Sequence, residues 1–566
     1  MSSKPEEQLF YVRLAIRRDL RVLLPPHGGK NSEVCAYAGF TTSAGIIAPM
    51  RRTLYLTVFF SGMTTLAAEF GASRLLQMRF SSINLVWATI IGLILIYLAV
   101  GYSIGGRWAD RSPYPRTMYT IMAWGGFTLG LIPFVAQPVL VAAATASDQL
   151  NLGIMAGAFI STLVLFSIPV TLLAMVSPFA IRISMVDATK AGNVAGKLYS
   201  VSTLGSVLGA FLPSLLFFPV IGTSRTLLVF GIATLAIALF GLILTGGWKK
   251  PIPFALMLAT LGAIILFADF HVKNTPGQVY ETESDYNYIE VIQRGESTYL
   301  RLNDGQGVHS EYHPTELFYG GPWEQFLVGP LFNPAPFALS QVKRIAIIGL
   351  AAGTTARQAT AVYGDIPIDG YEIDPKIVEV GRAYFGMTMP NLNVHITDGR
   401  WGLEHSPHLY DIIAVDAYRP PYIPPNLTTR EFFQICADHL TERGTLVVNI
   451  GRAPGDRRLI NDLAATILTV LPSAHVMDIP GTFNSMLFAT KQPTTTNHLA
   501  TNLALLANDP QAPPLLLRAA HVAFASLQPD PAADGMVYTD DLSPVEWVTN
   551  SLIINFIIGG GMNGLQ

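Results

Sequence analysis

Cysteine is close to absent: Cys35 and Cys436 are the two in 566 residues, and they stand far apart. A disulfide framework is thereby excluded as the source of order, although two thiols do not fix the compartment. Charge is also scarce, at 13% of residues against roughly 25% in soluble proteins. The deficit is uneven, because nearly every long uncharged run lies between residues 53 and 270. A net charge of −3 supplies no basic face, which argues against a nucleic-acid partner. No His pair sits at i, i+4 on a predicted helix and no CxxC occurs, so no metal is expected. No short apolar run with a small-residue cleavage site opens the sequence, so no removable signal peptide is expected.

What is present divides the sequence in two. A bilayer core of about 30 Å takes about 20 apolar helical residues, and seven such stretches lie near 53–73, 83–104, 117–136, 153–176, 199–221, 226–247 and 251–270. The expectation is a polytopic α-helical membrane domain over 53–270, behind a basic segment at 1–52, with the lipid bilayer of the plasma membrane as partner. Gly205 and Gly209 in the fifth stretch stand at small-xxx-small spacing, which lets helices approach closely. Lysine and arginine set orientation. The N-terminal segment and alternate loops carry sixteen (Lys4, Arg13, Arg17, Arg18, Arg21, Lys30, Arg51, Arg52, Arg107, Arg111, Arg116, Arg182, Lys190, Lys197, Lys249, Lys250), and the other loops carry Arg74, Arg79 and Arg225. The N-terminus is therefore expected in the cytoplasm. Residues 8–24 alternate apolar and basic positions, as an interfacial helix or a flexible basic tail. Glu69 with Arg74, and Asp110 between two arginines, read as ion pairs or interfacial anchors, with a substrate path between helices as the alternative.

From about 271 the composition is that of an ordinary globular protein. "YNYIEVIQR" and "STYLRLND" read as strands of a small β subdomain, placed at 275–335. An α/β Rossmann-like domain is expected over 336–550. Its first strand, "RIAIIGL", is a continuous apolar run suited to a parallel strand covered on both faces. A turn with Gly349 and Gly353 follows, then a helix, then "IDGYEID", which ends in Glu372, 23 residues after Gly349. An acid at about that distance is placed to meet ribose hydroxyls. The pattern GxxxG is not the dinucleotide GxGxxG, which makes a nicotinamide dehydrogenase a poor reading, and alone it is weak evidence of any cofactor. Two further strands run into Asp398 and Asp416, so small or acidic residues end four successive strands on the edge where open α/β sheets bind ligands.

The order Gly349, Gly353, Glu372, Asp374, Asp398, Gly399 and Asp416 resembles the polyamine aminopropyltransferase (spermidine synthase) family, which has a class I methyltransferase-like fold behind a small N-terminal β subdomain. "SDYNYIEV" at 284–291 and "TDDLSPVE" at 539–546 resemble its flanking motifs. The apolar half is similar to membrane-fused, spermidine-synthase-like proteins. The resemblance implies a transferase whose co-substrate is decarboxylated S-adenosylmethionine, or S-adenosylmethionine, with a small-molecule amine as acceptor and a homodimer left open. It further implies Glu372 on the ribose, Asp398 at the adenine amino group, Gly349 and Gly353 under the thioether, Asp374 and Gly399 beside them, and Asp416 as catalytic carboxylate. An amine must lose a proton as it attacks, so a carboxylate that draws it in is a natural catalyst. Tyr418, Arg419 and Tyr422 are candidates for substrate contact, the tyrosines as cation partners or as packing.

Two departures bear on the substrate. The family's Asp after the turn glycines is missing from "GLAAGTT", which offers Ala351, Ala352 and Thr354, and the second Asp beyond the catalytic one is Arg419. A pocket with fewer carboxylates and a guanidinium disfavours a dication such as putrescine and no longer excludes the carboxylate of intact S-adenosylmethionine. A methyltransferase, or a non-catalytic transporter or polyamine sensor, are the alternative functions. Seven spans place the soluble half outside, where adenosyl cofactors are not normally supplied; a span count wrong by one removes that conflict. The C-terminal "SLIINFIIGGG" is too short to span and is expected against the membrane half.

Overall fold

The computed structural model describes residues 44–80, 84–149, 153–185, 188–247, 251–267, 273, 275–303, 307–418, 423–531 and 534–558. The interfacial reading of residues 8–24 lies outside them. So do Arg419 and Tyr422. Met1–Leu54 and Tyr55–Gln566 are separate compact units, and the contacts below belong to the second.

The apolar half is helical: α1 (Ala44–Phe80), α2 (Asn84–Arg111), α3 (Pro115–Gln149), α4 (Gly153–Ala174), α5 (Val176–Ser184), α6 (Ala191–Leu212), α7 (Phe218–Gly246) and α8 (Ile252–Phe267). Among the described residues, four helical stretches are long and apolar enough to cross a membrane: Val86–Arg111, Pro115–Ala143, Ala156–Ser184 and Ala191–Gly246. The last, at 56 residues, is interrupted by a π turn at Pro213–Phe217 and by Gly222, whose φ of 78° leaves the helical region.

Side-chain neighbours give the direction of each leg. Gly205 and Gly209 of α6 approach α1 so closely that added Cβ atoms would meet the carbonyl oxygens of Phe59 and Met63 at 2.0 and 2.1 Å. The two helices therefore run parallel, with the small residues serving close approach. Thr64 instead meets Thr234 at 2.6 Å and Gly71 meets Leu227, so α7 runs antiparallel to α1. The chain thus reverses at Gly222, beside the end of α1 that carries Arg74. At that same end Phe80 packs on Gly157 at the start of α4. At the opposite end Asp110 of α2 pairs with Arg182 of α5 at 3.2 Å, and Thr57 meets Tyr119 of α3.

The soluble half holds two sheets. β1 (Gln278–Glu283), β2 (Tyr288–Arg294), β3 (Ser297–Leu302) and β4 (Val308–Tyr312) form an antiparallel meander. β5 (Ile345–Ile348), β6 (Ile368–Glu372), β7 (Leu392–Ile396), β8 (Tyr410–Val415), β9 (Leu440–Gly451), β10 (Ser473–Asp478) and β11 (Asn484–Thr490) form the second, in the order β10-β11-β9-β8-β5-β6-β7. All neighbours are parallel except β11, which runs against β9 and β10. This is the α/β methyltransferase-like arrangement. Alternation splits the core across it: Ala346, Ile348, Ile413 and Val415 face one apolar cluster, while Ile345, Ile347, Ile412 and Ala414 face the other. The helices around the sheet are α9 (Thr354–Tyr363), α10 (Pro375–Tyr384), α11 (Gly399–Glu404), α12 (Arg430–Asp438), α13 (Arg458–Ile467), α14 (Thr496–Ala507), α15 (Pro514–Ala525) and α16 (Val545–Ile558).

Val545, Val548 and Leu552 of α16 are buried in the first soluble cluster with Leu459 and Leu463 of α13, so the start of α16 packs on the Rossmann-like core, and of the C-terminal apolar run Leu552 packs there rather than on the membrane half.

Candidate functional site

Winding from β5 proceeds to β6 and β7 on one side and resumes at β8 on the other, so the crevice at the ends of β5 and β8 is the point where such sheets take ligands. Gly349 closes β5 with φ 86°. A Cβ there would sit 2.6 Å from the carbonyl oxygen of Asp416 and 2.7 Å from the Cα of Ala417. The turn and the loop after β8 are therefore in backbone contact, which only glycine permits. Gly353, at φ 88°, is the N-cap of α9 and packs against Met387.

Glu372 ends β6 and is 7% exposed. Its two oxygens accept from the backbone N–H groups of Ala351 (2.9 Å) and Asp374 (3.1 Å). Burial nonetheless outweighs these bonds and pushes its carboxyl up to about 7. Each oxygen keeps a lone pair, so the group is suited to accept from a pair of hydroxyls. Asp374 is wholly buried. One of its oxygens caps α10 by accepting from the Lys376 N–H at 2.9 Å, and the other accepts from Ser284 and Asn287. Its acceptors are spent on the protein, which makes it a fixture behind Glu372.

Asp398 follows β7 and caps α11, accepting from the Trp401 N–H at 3.0 Å and from Asn426 at 3.3 Å. Gly399 beside it leaves room for Ile348, whose Cγ2 would lie 2.5 Å from an added Cβ. The α11 side of the crevice is braced by Arg400, which donates to both oxygens of Asp540 at 2.7 Å. Thr429 donates to the same carboxylate. The "TDDLSPVE" segment is thereby tied to α11 and to the residue before α12.

Asp416 stands directly after β8, its N–H donating to the Ile348 carbonyl. Burial lifts its carboxyl to about 7, opposed by one hydrogen bond, in which Asn449 Nδ2 donates to Oδ1 at 2.8 Å. Asn449 is fixed in turn by Asn484 Nδ2 on its Oδ1 at 2.9 Å, and the Tyr418 hydroxyl donates to the Asn449 carbonyl at 3.2 Å. Tyr418 thus packs along β9 and supports Asn449. The structure brings Gly349, Glu372, Asp398 and Asp416 to one edge of the sheet. Asn449 and Asn484 were missed in the sequence, where two asparagines 35 positions apart inside strands carry no pattern.

The electrostatics make a stability prediction. A carboxyl raised from 3.8 in the unfolded chain to about 7 when folded favours the fold most below the unfolded value and loses that contribution as pH rises through 7. Asp416→Asn removes this penalty. Its melting temperature relative to wild type should therefore climb by several degrees between pH 5.5 and 8.5. A difference that stays flat with pH, measured by differential scanning fluorimetry, would show that Asp416 is not held in a desolvating site.

Comparison with known proteins agrees with this geometry. Residues 331–498 match the family model described as "Spermine/spermidine synthase domain". The chain is 35% identical over 216 residues to the "Probable polyamine aminopropyl transferase" of Bifidobacterium longum, which spans 38% of this chain and 47% of that protein. It is 31% identical over 180 residues to the polyamine aminopropyltransferase of Vibrio vulnificus, covering 30% of this chain and 58% of the relative. The chain thus spans about half the length of these relatives. Among solved structures, a probable spermidine synthase from Corynebacterium glutamicum aligns with 47% of this chain and 98% of its own, at a TM-score of 0.35 and 20% identity. Residues 331–498 are thus similar to a spermine/spermidine synthase domain, and over that part the chain is similar to polyamine aminopropyltransferases.

Proposed function

We propose that this protein is an integral membrane aminopropyltransferase whose reaction takes place in the crevice at the ends of β5, β6 and β8. The observation that carries the reading is Asp416: a half-buried carboxylate at the sheet's switch point, raised to about 7 by desolvation and oriented by a dedicated hydrogen-bond pair, Asn449 and Asn484. A group of that pKa takes a proton readily at neutral pH. Glu372 and Asp398 are assigned to the ribose and the adenine amino group, and Gly349 and Gly353 to the surface beneath the sulfur. The bound adenosyl sulfonium supplies a carbon activated by its positive leaving group. The acceptor's unprotonated nitrogen forms a bond to that carbon as the C–S bond breaks, methylthioadenosine leaves, and Asp416 receives the proton.

The missing carboxylates favour an acceptor other than a small dication. Thr354, where the turn lacks an acid, exchanges hydrogen bonds with the backbone of Glu311 and offers no charge. Purified protein incubated with decarboxylated S-adenosylmethionine and a panel of amines should release methylthioadenosine, with putrescine among the poor acceptors. Release of S-adenosylhomocysteine from the intact donor would make it a methyltransferase instead.

Sidedness belongs to the same proposal. The Arg74 and Gly222 end of the bundle meets β1 and the turn after it, while Arg107, Arg111, Arg182, Lys190 and Lys197 belong to the opposite end. The positive-inside rule assigns the cation-rich end to the cytoplasm, so the catalytic half is assigned to the other face, and the reading requires the adenosyl donor to be supplied on that face.

A further inference from the structure

We infer that Arg74, on a helix of the apolar bundle, is a positioning residue for the nucleoside-binding carboxylate. It acts through the turn at 283–287 and Asp374, so that the bundle sets how tightly the adenosyl ligand is held. The inference rests on the assignment of Glu372 to the ribose.

The turn after β1 is gripped from two helices. The Arg74 guanidinium donates to the carbonyls of Ser284 (2.6 Å) and Asp285 (3.0 Å), stands 3.9 Å from the Glu283 carboxylate, and lies over the Phe218 ring at 5.1 Å. Glu283 accepts from the Thr223 N–H at 3.1 Å and from its hydroxyl at 2.6 Å. Thr223 directly follows Gly222, the kink within α7 at which the chain reverses. The β1 turn is therefore tied to the end of α1 and to the start of the descending leg.

The other face of the same turn reaches the site. The Ser284 hydroxyl donates to Asp374 Oδ2 and accepts from the N–H groups of Tyr286 (3.1 Å) and Asn287 (2.9 Å). Asn287 Nδ2 donates to the same Asp374 oxygen at 3.0 Å. The Asp374 N–H then donates to Glu372 Oε1. From Arg74 to Glu372 every link is a backbone group or a short side chain, with Ser284, Asp374 and Glu372 at 6%, 0% and 7% exposure. Solvent screening, which makes exposed ion pairs nearly inert, does not reach these groups. Loss of the Arg74 anchor frees the turn, and the carboxylate behind the ribose loses its fixed orientation.

The test measures methylthioadenosine affinity by calorimetry on the full chain in detergent, with turnover measured alongside. Arg74→Ala should weaken the nucleoside roughly tenfold, the scale of a lost charge-assisted bond. It should raise the donor KM and leave kcat and the acceptor KM unchanged, and Arg74→Lys should recover part of the loss. Thr223→Val, which keeps the side-chain volume, should give the same split on a smaller scale and serves if Arg74→Ala folds poorly. In a Ser284→Ala background Arg74→Ala should cost less than it does in the wild type, because part of the shared path, which also runs through Asn287, is already lost. Arg182→Ala, which breaks an ion pair at the far end of the bundle, should leave affinity unchanged. Additive losses from Arg74→Ala and Ser284→Ala, an equal loss from Arg182→Ala, or unchanged affinity in Arg74→Ala would each overturn the inference while leaving the proposed function standing. Failure of wild type to bind methylthioadenosine would remove both.

Discussion

Replacing Asp416 by Asn should lower turnover by roughly 10²- to 10⁴-fold, the usual contribution of a positioned general base, while methylthioadenosine binds as before. Asparagine preserves the shape of the side chain and its neighbours but has no basic oxygen of comparable strength. The loss therefore falls on the step in which the attacking nitrogen sheds its proton. The pH profile identifies the group. The base must be ionised, so kcat/KM of the wild type should fall as pH drops through about 7, where burial places the Asp416 carboxyl. Asn449→Ala removes the one hydrogen bond that favours the ionised form, so the inflection should move to higher pH with Asp416 still present. An Asp416→Asn enzyme of ordinary turnover, or a profile without an inflection near neutrality, would mean that the proton leaves by another route.

What could be read beforehand follows from how far each signal extends along the chain. Ile345–Ile348 is buried on both faces, so its apolar run was visible without knowledge of its neighbours. The turn at Gly349 announced itself because the backbone contact with Asp416 admits no side chain. Glu372, Asp398 and Asp416 were legible as strand-end acids since the sheet repeats one unit. Asp374 was placed with the ligand contacts, but its acceptors are committed to Lys376, two positions on, and to Ser284 and Asn287, 90 and 87 positions away. The Asn449 and Asn484 pair depends on the antiparallel register of β11 against β9, which no local pattern encodes. For the same reason Leu552, in the run from 551, was expected against the membrane half and packs in the soluble core instead: apolar content reveals burial, not which core receives it.

Labelling in intact cells should find the catalytic half on the face opposite the cation-rich end of the bundle. Packing sets the direction of each helical leg. α6 runs with α1 and α7 against it, as Phe59 and Met63 on Gly205 and Gly209, and Thr64 on Thr234, require. The reversal at Gly222 therefore shares an end with Arg74, and that end holds the β1 turn. Asp110 and Arg182 pair at the other end, among the residues that carry the excess of positive charge. Insertion leaves such an excess in the cytoplasm, because translocating arginine or lysine is costly. After Cys35→Ala and Cys436→Ala, a single cysteine at Trp401, 57% exposed on α11, should react with an impermeant maleimide added to intact cells. A cysteine at Lys197, near the cation-rich end, should react only after the membrane is opened. The reverse pattern would place the catalytic half in the cytoplasm. It would also mean that charge bias does not orient this bundle, whose two ends the docked domain so clearly distinguishes.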